Sequence, residues 1–378
     1  MKVGVIGHKH IPSREGGIEK TVGRQVEMLS GRGYEFVLYN RSGHPLVEEK
    51  TSREETLPES VRVRTVPAPP RPWGVPLYAF LATVSALWEH CDVIYYHGSG
   101  SCMMIPLARL FGGRCVAMLH GIDSERAKWG RFGRWVLRLG ERAAGKRAHA
   151  CLVLSQHMKT FMRERYGCEA IITNNGTERP AVDPAQTGEI LASLGLKEGG
   201  YVLFMARLVP EKGLHYLIPA FRACRTDKKL VIAGGDDPAC TAYRRRLSEE
   251  AAGDPRIVFL GYREEPAVSA LYAGASLFVL PSDVEGMANS LLEAMAAGCR
   301  CLVSDIPENA DVIGERGWTF RHGDTEDLTE RLQELLDAPE EGEAQRKERV
   351  DWVMSSYRWE TCVSRLEEVF REVCSCRK

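Results

Sequence analysis

The chain of 378 residues is 27% charged and 44% hydrophobic, and its 50 Lys and Arg nearly balance its 51 Asp and Glu. That length has room for two or three domains with proper cores, and the even charge gives no global basic field for nucleic acid. Twelve scattered cysteines without a Cys-x-x-Cys pair suit neither a zinc ribbon nor a thioredoxin-like site and point to a reduced, cytoplasmic protein.

Residues 1–7 are strand-like and too short for a signal peptide, and no apolar run approaches the roughly 20 residues of a membrane span. Residues 2–7 form the first predicted strand. The loop that follows is unusually basic at His8-Lys9-His10, after which Ile18, Val22, Val26 and Leu29 mark one side of a helix. Gly16-Gly17 at this strand-to-helix turn would let backbone amides reach a phosphate, although a glycine pair alone is more often only a turn. Residues 34–39 are a second strand, and both the polar run 40–60 and the proline-rich 66–76 read as loops.

From there helices at 77–88, 102–111, 129–144 and 156–166 alternate with strands at 92–96, 115–119, 148–154 and 170–173. That alternation means a doubly wound parallel sheet. Asn174-Asn175-Gly176-Thr177, followed by Pro180 and Pro184, is a turn-rich break. The pattern then restarts, with strands at 201–205, 230–233, 257–260, 277–280 and 300–303 and helices between them. Helices at 327–336 and 359–373 close the chain. The expected domains are 1–176, 177–356 and a closing helix within 357–378, with a cleft where both sets of strand ends meet.

Chemistry is concentrated at strand ends. Pro281 to Gly298 reads as loop then helix, with Glu285 in the loop and Glu293 in the first turns. Gly286 admits close backbone approach, the amides of Met287, Ala288, Asn289 and Ser290 open a helix suited to phosphate, and the two carboxylates can accept bonds from paired hydroxyls. The competing reading is a capping box, Ser290-x-x-Glu293, which needs no ligand. Asp283-x-Glu285 resembles half a metal site but has no neighbouring His or third carboxylate in the sequence. Arg207 and Lys212 follow the strand 201–205 and suit a diphosphate leaving group, against the alternative of solvated surface charges.

In the first half, His120 ends the strand 115–119 and is followed by Asp123, while His97 ends the strand before it; a lone His is more often structural. Between Arg126 and Arg147 eight Lys and Arg face a single acid, Glu141, with aromatic residues at helical spacing. Arg131, Arg134, Trp135 and Arg138 thus mark a basic amphipathic helix for an anionic membrane surface. The alternative is a core helix with a solvated far side, and either way at least one aromatic is expected to pack on the sheet.

Assembled, these blocks resemble the retaining glycosyltransferases of family 4, with the GT-B fold of two Rossmann-like domains, and within them a bacterial polysaccharide, rhamnosyltransferase-like branch. The resemblance rests on Gly16-Gly17, His120-Gly121-Ile122-Asp123 with Arg126-Ala127-Lys128-Trp129, Asn175-Gly176, Arg207 with Lys212, Glu285-x7-Glu293, Val303 to Asn309 and Tyr357 to Glu360. It implies a nucleotide sugar as donor, no metal or other cofactor, and a lipid-linked or saccharide acceptor. Carried over, Arg207 and Lys212 neutralise the departing diphosphate and Glu293 holds the ribose. Glu285 and the amides of Gly286 to Ala288 hold the sugar, and Asn289 and Ser290 approach the phosphate. Gly16 and Gly17 cover the diphosphate, and His120 touches the sugar, with His97 and Asp123 on the acceptor side. The implied place is the cytoplasm, peripheral at the inner membrane face. Two other classes stay open: a nucleotide-sugar epimerase on the same plan, and a non-catalytic nucleotide-sugar-binding subunit.

Overall fold

A computed structural model of the chain describes all residues except 14–15, 43–56, 70–73, 126–128, 181–182, 238–239 and 376–378. The sequence readings at Arg126, Ala127 and Lys128, and most of the loop 40–60, therefore lie outside the described residues. Two compact units result: Met1–Asn175 with Glu360–Lys378, and Gly176–Trp359.

The first unit runs β1 (Lys2–Ile6), α1 (Gly17–Ser30), β2 (Glu35–Arg41), β3 (Val61–Val66), α2 (Gly74–Trp88), β4 (Val93–His97), α3 (Ser99–Cys102), α4 (Ile105–Leu110), β5 (Cys115–Leu119), α5 (Arg131–Arg147), β6 (Ala150–Val153), α6 (Gln156–Tyr166) and β7 (Ile171–Ile172). Its strands are all parallel, in the order β3-β2-β1-β4-β5-β6-β7. Pleating sends neighbouring side chains of β4 to opposite faces. Tyr95 meets Phe370 of the last helix at 5.2 Å between ring centroids, and the Tyr96 hydroxyl lies 3.0 Å from that of Thr83 on α2.

The second unit contains α7 (Pro184–Ser193), β8 (Tyr201–Met205), α8 (Leu214–Ala223), β9 (Lys229–Ala233), α9 (Thr241–Ala251), β10 (Ile257–Gly261), α10 (Ala267–Gly274), β11 (Leu277–Leu280), α11 (Asn289–Ala296), β12 (Cys301–Ser304), α12 (Pro307–Ile313), β13 (Trp318–Phe320), α13 (Thr325–Asp337) and α14 (Glu343–Ser356). The sheet order is β10-β9-β8-β11-β12-β13, again all parallel. Its strands are continuous apolar runs because helices cover both faces: Tyr201, Leu203 and Phe278 belong to one core cluster, Val202, Phe204 and Leu277 to the other. The last helix, α15 (Trp359–Ser375), returns to the first unit, where Glu367 accepts from Arg32 at 2.7 Å.

Several elements differ from the sequence reading. Residues 61–66, of which only Val66 falls in a predicted loop and the rest carry no assignment, form β3: Val-Arg-Val-Arg alternates as an edge strand does, but most of it is exposed, so no buried run announces it. The helix expected at 102–111 is two short pieces, α3 and α4, broken at Met103-Met104 ahead of Pro106. Helices α7, α12 and α14 and strand β13 were likewise not anticipated. On α5 the side against the fold is Leu137, Gly140, Glu141, Ala143 and Ala144. Phe132 and Trp135 stay exposed, so Leu137, Glu141 and three small residues, not its aromatics, pack inward.

Candidate active site

In a doubly wound sheet the strand order reverses at one point, and the crevice beyond the strand ends there is where ligands bind. In the second unit that point lies between β8 and β11, adjacent in the sheet but separated in the chain by β9 and β10. After β8 the chain makes a single 3-10 turn, Pro210–Lys212, and then Gly213 at φ 69°. A Cβ on Gly213 would stand 1.8 Å from the Pro281 carbonyl oxygen, so only glycine lets this turn press against the loop after β11. The Asp283 amide donates to the Glu211 carbonyl at 2.9 Å and completes the join.

This join brings Lys212 to Glu285. Nζ lies 2.5 Å from Oε1, and the Ser282 hydroxyl donates to the same oxygen at 2.6 Å. Glu285 is 8% exposed, yet its charge is paired and hydrogen-bonded, as a buried carboxylate must be. Beneath it the Ser304 hydroxyl donates to the Ser282 carbonyl at 2.6 Å, and Asn309 Nδ2 donates to that hydroxyl at 3.1 Å. The loop is thus held from β12 and α12.

Arg207 is half exposed, with Nη1 3.6 Å from Asp237 Oδ2 beyond β9, so it sits at the mouth of the same strand ends. The capping-box reading does not describe α11. Its N-cap is Ala288 with no side-chain cap, and Ser290 lies inside the helix. Glu293 instead accepts from the Tyr272 hydroxyl of α10 at 3.2 Å. Burial, with the charge of Glu293 second, holds that phenol protonated far above its ordinary range, so toward Glu293 it is the donor. Asp283 does have a histidine neighbour, which the sequence did not suggest: His322 Nε2 stands 2.9 Å from its Oδ1. Among the described residues no group of three or more His, Cys, Asp and Glu is arranged to hold a metal.

In the first unit the order reverses between β1 and β4. Gly7, at φ 121°, ends β1 so close to β4 that a Cβ would lie 2.0 Å from the His97 carbonyl oxygen. His97 is buried; its Nδ1 is 2.8 Å from His120 Nε2, and the two rings stack at 5.1 Å. Burial, then the neighbouring His120 and His8, keep His97 neutral with a pKa well below the ordinary value. Asp123 opens a single 3-10 turn, and a Cβ on Gly98 would fall 3.9 Å from its Oδ2, which places this carboxylate beside the same strand end. Gly16 is the N-cap of α1 at φ 129°, and Gly17 is its first residue.

Of the basic loop, His8 resolves into packing, while Lys9 stays exposed. Burial brings His8 down to about 3, and its Nε2 lies 2.8 Å from Asn40 Oδ1. Its position is that of an uncharged bracket between β1 and β2. Sequence reasoning missed Ser282, Tyr272, Ser304 and Asn309. Ser282, three residues before Glu285, was the one within reach of a spacing argument.

Comparison with known proteins matches residues 16–173 to the glycosyl transferase 4-like domain and residues 199–338 to the glycosyl transferases group 1 family. The chain is 27% identical, over 70% of its length and 72% of the relative's, to the GDP-mannose-dependent alpha-(1-6)-phosphatidylinositol monomannoside mannosyltransferase of Mycolicibacterium smegmatis. It is 25% identical to the alpha-D-kanosaminyltransferase of Streptomyces kanamyceticus, over 75% of this chain and 76% of that one. In fold it resembles the sucrose-phosphate synthase of Thermosynechococcus elongatus, with a TM-score of 0.84, 19% identity and full coverage of both chains. It also resembles Anabaena HepE in complex with UDP and glucose, with a TM-score of 0.81, 18% identity and 98% and 100% coverage. These likenesses make the two sheets a GT-B fold.

Proposed function

We propose that this chain, a glycosyltransferase with a 4-like domain in its N-terminal half and a group 1 domain in its C-terminal half, moves a sugar from a nucleoside-diphosphate sugar to a lipid-linked or saccharide acceptor with retention at the anomeric carbon. The observation that carries this reading is the pairing of Lys212 with Glu285 where β8 and β11 end. A cation and an acceptor carboxylate are there held by backbone and hydroxyl bonds, ready to part onto a phosphate and a sugar hydroxyl.

In this reading the bond from the anomeric carbon to the phosphate oxygen breaks as the acceptor oxygen attacks from the same side. The leaving phosphate takes the acceptor's proton. Negative charge grows on that phosphate, so fixed cations stabilise the transition state more than the ground state. Lys212 and Arg207 fill that role without a metal. Glu293, steadied by Tyr272, accepts from the ribose hydroxyls; Glu285 and the amides of Gly286 to Ala288 hold the sugar; Asn289 and Ser290 meet the phosphate. From the first unit Gly16, Gly17 and His120 are assigned to diphosphate and sugar, and His97 and Asp123 to the acceptor side. Attack on the face from which the phosphate departs gives retention, and besides Glu285 no carboxylate among the described residues is assigned as a nucleophile for a covalent intermediate.

The name of the Mycolicibacterium relative joins a nucleotide sugar to a phosphatidylinositol-linked acceptor, which supports the same pairing of substrates here. No described helix is long and apolar enough to cross a membrane. A lipid-linked acceptor at the inner face would then be reached through a surface element, for which Arg131, Arg134, Trp135 and Arg138 are the candidates.

The test is a panel of nucleotide sugars with simple saccharide and lipid-linked acceptors, the product anomer read by NMR. A retained product formed by wild type and lost in Lys212→Ala and Glu293→Ala supports the reading. An inverted product overturns the mechanism, and interconversion of the donor without acceptor overturns the class in favour of an epimerase.

A further inference from the structure

Among the described residues eleven large apolar side chains are well exposed, and all but Val63 and Tyr262 lie on α2, at the end of α4 or on α5. Soluble surfaces scatter such residues singly; a cluster on neighbouring elements marks an interaction face. On α2 they form one stripe at helical spacing, Leu77, Phe80, Val84 and Trp88, the last 84% exposed, and the helix has no charged residue. Leu110 and Phe111, 78% and 67% exposed, lie at the end of α4. The helices adjoin: α4 touches both α2 and α5. A methyl group on Gly100 of α3 would meet Val75 of α2 at 3.1 Å and Leu137 of α5 at 3.9 Å.

The outward side of α5 adds charge to this apolar surface. Phe132, Trp135 and Leu139 are exposed between Arg131, Arg134 and Arg138. The helix's single acid, Glu141, is turned inward, where it accepts from the Ser124 amide at 3.1 Å and hydroxyl at 3.0 Å and from Tyr166 at 2.9 Å. The outward side of α5 is therefore cationic with no counter-charge of its own. A groove beside it collects Arg138, Arg142, Lys146 and Arg165 with Trp135 and Tyr166.

We propose that this three-helix face of the first unit docks on an anionic lipid bilayer. The α2 and α4 side chains enter the boundary of the acyl chains, and the α5 cations meet lipid phosphates. The occupant follows from the two chemistries together. A second copy would set the α5 cations against each other, and nucleic acid would leave the uncharged α2 stripe without a phosphate to contact. The proposal deepens the lipid-linked acceptor reading, and its residues all belong to the first unit whereas Lys212, Glu285 and Glu293 belong to the second, so failure of docking and failure of donor binding are told apart.

The experiment is flotation of the full chain with vesicles of phosphatidylcholine alone or mixed with phosphatidylglycerol. Wild type is expected to float with the mixed vesicles and to release at high salt. Trp88→Ser with Phe111→Ser should lower partitioning about tenfold or more, and Arg134→Glu with Arg138→Glu should do the same. Both variants should keep the wild-type melting temperature and nucleoside-diphosphate binding. Quenching of wild-type tryptophan fluorescence by brominated lipid checks the apolar contact without any substitution. No flotation, no quenching, undiminished binding in a folded Trp88→Ser, Phe111→Ser variant, or a dimer that Trp88→Ser dissolves would each overturn the proposal.

Discussion

Lys212 and Glu285 meet at 2.5 Å across two loops that leave adjacent strands, although 73 residues separate them in the chain. Their contact ties the stability of the site to its chemistry. Removing Lys212 leaves a buried carboxylate with the Ser282 hydroxyl but no cation. We expect Lys212→Ala to lower turnover by about 10²–10³-fold and to destabilise the fold by about 1–3 kcal/mol. Urea unfolding and donor kinetics on one preparation measure both, and a fully active or equally stable variant would contradict the assignment.

Tyr272→Phe removes the donor to Glu293 while keeping the ring in its core. Weaker donor binding, by about three- to tenfold at little change in kcat, is expected, in line with about 1 kcal/mol for the net worth of a typical hydrogen bond that acts on the donor only through Glu293. Steady-state kinetics against donor concentration separate KM from kcat. A fall in kcat alone would move Glu293 from donor binding to the chemical step.

Ser304 acts only through Ser282, so Ser304→Ala tests whether the loop is held from below. The change strips one bond from the Ser282 carbonyl and one partner from Asn309. We expect kcat to fall several-fold with the fold intact, and Ser304→Thr to restore part of it if the loop has room for the methyl. Unchanged kinetics in Ser304→Ala would show that Glu285 needs no such support.

The pH dependence of stability has a definite sign. His8 and His97 are held neutral by burial, at about 3 for His8 and well below the ordinary 6.5 for His97, whereas the unfolded chain protonates both as pH falls through 6.5. The unfolded state then binds more protons, so stability is complete above about pH 6.5 and declines from there towards 3. The slope reaches up to about 1.4 kcal/mol per pH unit for each histidine. Glu141, raised by burial, works in the opposite sense nearer its own titration. Urea midpoints at pH 7.5 and 5.5 should fall for wild type and fall less for His8→Gln; equal slopes would show that His8 is not the buried neutral group described.

The sequence carried the alternation of strands and helices and the cluster of charges after β8 and β11, because both are local patterns in buried parallel sheets. Glu285 and Glu293 were legible as a pair because a strand, a loop and a helix fix their spacing. Their partners were not. Tyr272 is 21 residues from Glu293, on the neighbouring helix, and His97 is 23 from His120, at the end of the adjacent strand, so only tertiary packing brings each to its neighbour. Ser290-x-x-Glu293 satisfied a capping rule by composition, but the N-cap falls two residues earlier, at Ala288, and the acid turns to a tyrosine. Edge strand β3 and the inward Glu141 of α5 broke the expected patterning for one reason: exposure there is set by neighbouring elements, not by the residue's own type.

The most direct test of the donor site is calorimetric titration of UDP, GDP and ADP into wild type, Lys212→Ala and Glu293→Ala. At least one nucleoside diphosphate should bind the wild type, and each variant should bind it about tenfold or more weakly, with the fold retained. Binding of none of them by wild type, or equal binding by both variants, would contradict it.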